Sequence, residues 1–215
     1  MYQNILFDLD GTLTDPAEGI TNSVMYALKK YGITVSDRRE LYCFIGPPLL
    51  TSFCGLYGFS EAEGLQAVAF YREYFRETGI FENRVYDGTV PMLSALKNAG
   101  KRLILATSKP EEFALRILEH FDLLPFFDTV AGATMDGRIG EKGDVIRYAL
   151  EKAGVTDKAS TVMVGDRLHD MIGAKQNGLD AIGVLYGFGD EKELRENGAT
   201  HIAKTAADVL KICLE

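Results

Sequence analysis

The sequence predicts an α/β fold: a parallel sheet with helices on both faces, and a small helical domain inserted after the first strand. Three observations carry that reading. Short β-favouring runs recur along the chain, each followed by a turn and then a helical pattern. The runs are apolar throughout rather than alternating with polar residues, as strands buried on both faces require. One early stretch, from about Asp15 to Asn83, breaks the alternation and holds helical patterns alone.

Taken in order, Ile5-Leu6-Phe7 is the first strand and leads into Asp8. Asp15-Pro16-Ala17-Glu18 then supplies an N-cap, a proline at the first helical position and an acid at N3. Ile20, Val24, Ala27, Leu28 and Tyr31 follow at helical spacing. Ser60-Glu61-Ala62-Glu63 repeats the capping logic ahead of Leu65, Val68 and Phe75. The Tyr57, Phe59, Phe70, Tyr71, Tyr74 and Phe75 series is expected to fill the core of this segment. At roughly 70 residues it is too long for an ordinary βα loop. The expected division is therefore a core of residues 1–14 and 84–215 and a helical cap of 15–83, acting as a lid over the sheet.

The alternation then resumes. Leu103-Ile104-Leu105-Ala106 leads into Thr107, and Phe113, Ile117, Leu118 and Phe121 mark a helix. Thr129-Val130-Ala131 is a weaker strand, followed by Ile146, Ala149, Leu150 and Ala153 at helical spacing. Val162-Met163-Val164 runs into Gly165-Asp166, and Ala181 to Leu185 forms a last strand. In such sheets ligands bind beyond the carboxyl ends of the strands.

Composition narrows the function. The 215 residues are 47% hydrophobic and 25% charged, with 22 glycines against 6 prolines, which excludes disordered and collagen-like chains. With 23 basic against 31 acidic residues the net charge is −8, and no basic tract offers a surface for nucleic acid or anionic membranes. Cys43, Cys54 and Cys213 lack zinc-type spacing and read as free or buried thiols. Asp8 and Asp10 interrupt the only apolar opening, and no run reaches the roughly 18 apolar residues of a membrane span. A soluble, cytoplasmic protein is expected.

The chemistry sits at the strand ends. In Asp8-Leu9-Asp10-Gly11-Thr12 the period of two puts both carboxylates on one side. Carboxylates that close need a cation or a shared proton; the alternative is a plain Asp-Gly turn with Asp8 as a cap. An EF-hand fails, because the twelfth position counted from Asp8 is Gly19 and the preceding residues read as strand. Thr107-Ser108-Lys109-Pro110 offers hydroxyls and amides before a helix, either as an anion site or as a solvated cap. Lys142-Gly143 precedes a helix beginning near Asp144; a lysine there faces either an anion or solvent. In Gly165-Asp166-Arg167-Leu168-His169-Asp170 the second acid comes one helical turn after the first. Asp166 could be a helix cap with Asp170 on a solvated face. As a set, however, acids from two strand ends suit a hard cation such as Mg²⁺. His169, His120 and His201 are read as structural.

The order strand-DxDGT, strand-Thr, Lys, strand-GDxxxD resembles the haloacid dehalogenase (HAD) superfamily over essentially the whole chain. The phosphoglycolate phosphatase-like subgroup is the nearest likeness, on Asp8-Leu9-Asp10-Gly11-Thr12-Leu13, Ile45-Gly46-Pro47-Pro48-Leu49 and Tyr186-Gly187-Phe188-Gly189. The resemblance implies a Rossmann-like core, a cap after the first motif, and a Mg²⁺-dependent phosphatase. Asp8 would be the nucleophile that forms an aspartyl-phosphate, and Asp10 the acid and then the base. Thr107, with Ser108 beside it, and Lys142 would hold the phosphoryl oxygens. Asp8, the Asp10 carbonyl, Asp166 and Asp170 would bind the metal. Gly143 stands where proline is usual, so Lys109 is a second candidate for the lysine role; Ser108 stands where asparagine is commoner.

Asp10 separates this chain from the dehalogenases, which lack it, and from transport ATPases, which carry threonine there. Gly46, Pro47 and Pro48 form either a stiff loop facing the substrate or an inter-helix turn. Phosphoglycolate is the leading expected substrate; nucleoside monophosphates, sugar phosphates, pyrophosphate and mutase chemistry are the alternatives. The expected partner is a small phosphorylated metabolite. A receiver-like phospho-acceptor module uses a similar cluster, but receivers are shorter, lack the inserted helices and have no acid two residues beyond the acceptor.

Overall fold

Strand β1 (Asn4–Phe7) occupies the interior of a six-stranded parallel sheet in the computed structural model, which describes all 215 residues. The chain continues through the two-residue β2 (Thr14–Asp15), then α1 (Ala17–Lys29), a 3₁₀ turn at Arg38–Phe44, α2 (Leu49–Tyr57), α3 (Glu61–Tyr74) and β3 (Arg84–Val85). There follow α4 (Thr89–Asn98), β4 (Arg102–Pro110), α5 (Glu111–His120), β5 (Thr129–Ala133), α6 (Lys142–Ala153) and β6 (Thr161–Gly165). The chain ends with α7 (Leu168–Gln176), β7 (Asp180–Val184), α8 (Glu191–Glu196), β8 (His201–Ala203) and α9 (Ala206–Leu214). It divides into two units: Met1–Thr14 with Val85–Glu215, and Asp15–Arg84.

The sheet order is β5-β4-β1-β6-β7-β8, and every neighbouring pair is parallel. From β1 the chain steps outward through β4 and β5, then crosses back to β6 and steps the other way. The switch in direction lies between β1 and β6, where an α/β sheet opens a crevice at its carboxyl edge. Phe7 pairs with Leu105 on one side and Val164 on the other, so the ends of β1, β4 and β6 are level. Leu6, Ile104, Ala106 and Met163 bury one face under Val145, Ile146 and Ala149 of α6 and Met171 and Ala174 of α7. By strand alternation Ile5, Phe7, Leu103 and Leu105 line the opposite face, and all four are fully buried. None of the helices is long and apolar enough to cross a membrane.

Several local expectations need correction. Helix α1 starts at Ala17, with Pro16 rather than Asp15 at the N-cap position, although the Asp15 carboxylate still accepts the Ala17 N–H at 3.1 Å. The Ser60–Glu63 capping box forms, but Leu65 is 55% exposed; α3 instead buries Gly64, Ala67 and Tyr71. Helix α6 begins two residues before Asp144, at Lys142. Strand β8 has no counterpart in the sequence reading. In the Asp15–Arg84 unit Phe44 and Phe53 are buried edge to face, with centroids 5.0 Å apart. Gly46-Pro47-Pro48 links the 3₁₀ turn to α2, with Pro48 at its N-cap position. Of the thiols, Cys43 is exposed and Cys213 buried, and none is in a disulfide.

Asp128, just before β5, ties α4 to β4: it accepts from Lys97 Nζ at 2.7 Å and from the Leu103 N–H at 2.8 Å. Burial alone would raise its pKa, but these two donors outweigh it and hold the carboxyl below its usual value. A depressed folded-state pKa adds stability above the unfolded value and loses it as pH falls through the folded one. Asp128→Ala is therefore expected to cost about 1 kcal/mol at pH 7, allowing for solvent screening. Urea unfolding from pH 7 down to pH 3 should show the gap to wild type closing; a gap that widens towards acid rejects the assignment.

Candidate active site

The first strand ends in a tight turn that sets two carboxylates at the carboxyl edge. The Asp8 N–H bonds Val164 O of β6 at 2.9 Å, so Asp8 is still held by the sheet. Leu9 O then accepts from Thr12, Leu13 and Thr14 at 3.2, 2.9 and 3.1 Å, and Gly11 N–H reaches Thr14 O at 2.7 Å. Gly11 takes φ of +83°, and a Cβ there would lie 2.2 Å from Asp166 Oδ2. Glycine is required on both counts.

Each of the two acids has its own lysine. Lys142, the first residue of α6, has a side chain only 4% exposed, and its Nζ lies 2.8 Å from both Asp8 Oδ1 and Asp170 Oδ1. Burial alone would lower the pKa of this ammonium, but Asp170 and Asp8 outweigh it and raise it. Lys109, on the last turn of β4, places Nζ 2.7 Å from Asp10 Oδ2, with 6% of its side chain exposed. The two lysines thus divide the acids between them. Nothing in the structure demands the glycine at 143: a Cβ there would meet only the movable end of the Gln176 side chain, where α6 passes against α7.

Asp166 and Asp170 are each 1% exposed. Asp166 is no helix cap, since Arg167 holds that position, and Asp170 is on no solvated face. Asp166 Oδ2 accepts the Phe188 N–H at 2.8 Å, and Oδ1 faces Thr12 Oγ1 at 3.4 Å. Asp170 Oδ2 accepts the Arg167 N–H at 3.1 Å across the first turn of α7. Burial first, and then Asp170, push Asp166 well above the usual carboxylate range. Burial likewise raises Asp170, more than Lys142 lowers it. Burial also raises Asp10, more than Lys109 lowers it.

These residues fit a hard divalent cation. Asp8, Asp166 and Asp170 each offer a carboxylate oxygen, all within 4.8 Å of one another. Asp8 Oδ1 and Asp170 Oδ1 are buried, and each faces the Lys142 ammonium at 2.8 Å. Four carboxylates face two ammoniums, so a 2+ ion would complete the charge balance, and an all-oxygen donor set suits Mg²⁺. The Asp10 carboxylate stands outside the trio.

Thr107 is buried at the end of β4, where the register against β5 slips, and its hydroxyl accepts the Lys109 N–H at 3.2 Å. That leaves its proton free to donate. Ser108 follows it, half-buried. His169 is half-buried between the two acids; His120 packs on Phe121, and His201 faces the Tyr2 hydroxyl at 3.2 Å. Sequence reasoning missed the supports of Asp166: Thr12, the Phe188 N–H, and Gly187, whose Cβ would lie 2.4 Å from Asp166 Cβ. The Tyr186-Gly187-Phe188-Gly189 run was visible, and its two glycines were the available signal.

The family model described as haloacid dehalogenase-like hydrolase matches residues 5–184. A Pseudomonas aeruginosa protein named "5'-nucleotidase" is 48% identical over 98% of this chain and 95% of its own. The Mycobacterium tuberculosis "Tyrosine-protein kinase PtkA" is 38% identical over 95% of this chain and 69% of its own. The crystal structure of a "predicted phosphatase" from Clostridium acetobutylicum superposes with a TM-score of 0.96 at 48% identity, covering 100% of this chain and 99% of that one.

Proposed function

Since the chain belongs to the haloacid dehalogenase-like hydrolases and is a phosphatase of that family, we propose that it hydrolyses small phosphomonoesters through an aspartyl-phosphate on Asp8. The observation that carries this reading is the pairing of the acids with separate lysines: Lys142 on Asp8 and Lys109 on Asp10. Asp8 attacks phosphorus as the ester P–O bond breaks, and Asp10 gives its proton to the leaving oxygen. Water then attacks the phosphorus of the aspartyl-phosphate, Asp10 takes the water proton, and phosphate leaves. Asp10 Oδ1 is buried without a hydrogen-bond partner, so it is the oxygen free for these transfers. The Thr107 hydroxyl, with Ser108 beside it, and the Lys142 ammonium hold the phosphoryl oxygens. Asp8, the Asp10 carbonyl, Asp166 and Asp170 would hold Mg²⁺, which when bound neutralises phosphoryl charge beside the nucleophile.

The partner is a small phosphorylated metabolite. Phosphoglycolate leads by the resemblance of the Asp8, Gly46 and Tyr186 motifs; the 48% identity to the Pseudomonas protein favours nucleoside 5'-monophosphates as a second reading. Gly46, Pro47 and Pro48 are the cap loop we expect to face the substrate, and we read the Asp15–Arg84 unit as the lid. The free thiols fit a reducing, cytoplasmic setting. Phosphate release from p-nitrophenyl phosphate, phosphoglycolate, nucleoside 5'-monophosphates and pyrophosphate, with and without Mg²⁺, tests the reading. Steady Mg²⁺-dependent turnover of a monoester is expected. Stable phosphorylation of the protein without turnover would overturn it.

A further inference from the structure

We propose that Tyr186 is a positioning residue for the divalent cation, its hydroxyl accepting a hydrogen bond from a cation-bound water beside Asp166. The inference rests on the reading above, in which Asp8, Asp166 and Asp170 hold the cation.

Buried polar groups carry hydrogen bonds, and one that does not needs a reason. Outside the carboxylates of the site, a single buried side-chain polar atom has no hydrogen-bond partner, and it is the Tyr186 hydroxyl oxygen. The ring is held without it. Tyr186 packs at a steep angle to Tyr86, with centroids 5.2 Å apart and planes at 62°. A phenylalanine would make the same contact, so packing gives no reason for the hydroxyl. The surroundings give one. Burial and then the Asp166 charge raise the Tyr186 pKa, so the hydroxyl keeps its proton and lies within the field of that carboxylate. The next two residues close on the same acid: a Cβ at Gly187 would lie 2.4 Å from Asp166 Cβ, and the Phe188 N–H bonds Asp166 Oδ2 at 2.8 Å. The Asp166 oxygens are taken by Phe188 and Thr12, and Tyr186 is not among their partners. A Mg²⁺ ion held by a few carboxylates keeps several waters, and those waters are donors that need acceptors. A neutral phenol oxygen supplies one without adding negative charge to a site that already holds four carboxylates.

The test is Tyr186→Phe, read by thermal melts of the whole chain in EDTA and across a Mg²⁺ titration. In EDTA the variant should melt at the wild-type temperature or above it, since it drops an unpaired buried hydroxyl. Its Mg²⁺ dissociation constant, taken from the metal-induced rise in Tm, should be about tenfold larger, the low end for loss of an outer-shell partner. A lower Tm in EDTA, misfolding included, would mean that the hydroxyl serves the fold. An unchanged Mg²⁺ constant would leave it no role at the cation. Either result overturns the proposal. Inorganic phosphate should inhibit p-nitrophenyl phosphate hydrolysis equally in the two proteins at saturating Mg²⁺. Inhibition about tenfold weaker in the variant would assign the hydroxyl to the phosphoryl group, and would overturn the proposal as well. Wild type gives an independent reading through carbon-13 at tyrosine Cζ. Mg²⁺ should shift the Tyr186 resonance, and no movement among the ten tyrosines would overturn the proposal. Failure of the underlying reading looks different, since Mg²⁺ would then raise the Tm of neither protein.

Discussion

Asp8→Asn will fold and release no phosphate. The carboxylate oxygen proposed to attack phosphorus becomes an amide oxygen or an NH₂, neither of which can form the aspartyl-phosphate. Loss of a covalent nucleophile removes at least about 10⁴-fold of turnover. The fold should tolerate the change. Asp8 is one of three carboxylates within 4.8 Å, so its neutralisation relieves repulsion, and Lys142 keeps Asp170 at 2.8 Å. The expected result is an unchanged or raised Tm together with no detectable phosphoprotein after acid quench. Steady release above about 1% of the wild-type rate would remove Asp8 from the nucleophile role.

The position of Asp8 at a strand end is legible in the sequence, while its role as nucleophile comes from the family resemblance alone. A polar residue that ends a buried apolar strand is marked by the change from Ile5-Leu6-Phe7 to Asp8, and the same break marks Thr107 and Asp166. Parallel pairing does the rest, because it brings successive carboxyl ends level. Other features depend on who packs against whom. Helical spacing alone places Leu65 inwards, yet Gly64 lets α3 approach α2 so closely that a Cβ there would meet Cys54 Sγ and Leu50 Cδ1 at 2.8 Å. That approach turns Leu65 out. Strand β8 is three residues at the sheet edge, with only Ile202 and Ala203 apolar, too short for a periodic signal. The choice between Lys109 and Lys142 was equally beyond spacing. Both are long side chains next to helix starts, and only packing decides between them: β4 beside β1 brings Lys109 to Asp10, and α6, packed over the sheet on its way from β5 to β6, brings Lys142 to Asp8.

Lys142→Met tests the charge balance of the whole site. The ammonium is 4% exposed and is paired with Asp8 and Asp170, so its removal leaves buried carboxylates facing one another. Removing one partner of a buried ion pair costs about 3–5 kcal/mol, because the remaining charge is stranded. Asp170, 1% exposed and next to Asp166, has little water to turn to. The loss should therefore be large in metal-free buffer and smaller with Mg²⁺, since a cation binding the native acids stabilises the fold by mass action. Thermal melts with EDTA and with millimolar Mg²⁺ should show a larger metal-induced rise in Tm for the variant than for wild type. Turnover should not follow stability back. With Mg²⁺ restoring the fold, kcat/KM for p-nitrophenyl phosphate is expected to stay about 10³-fold low, because the phosphoryl oxygens have lost a preorganised cation that the metal does not replace. A variant that Mg²⁺ rescues in both stability and rate would make Lys142 a structural counter-ion, and the phosphate-holding role would have to pass to Thr107 and the backbone around it.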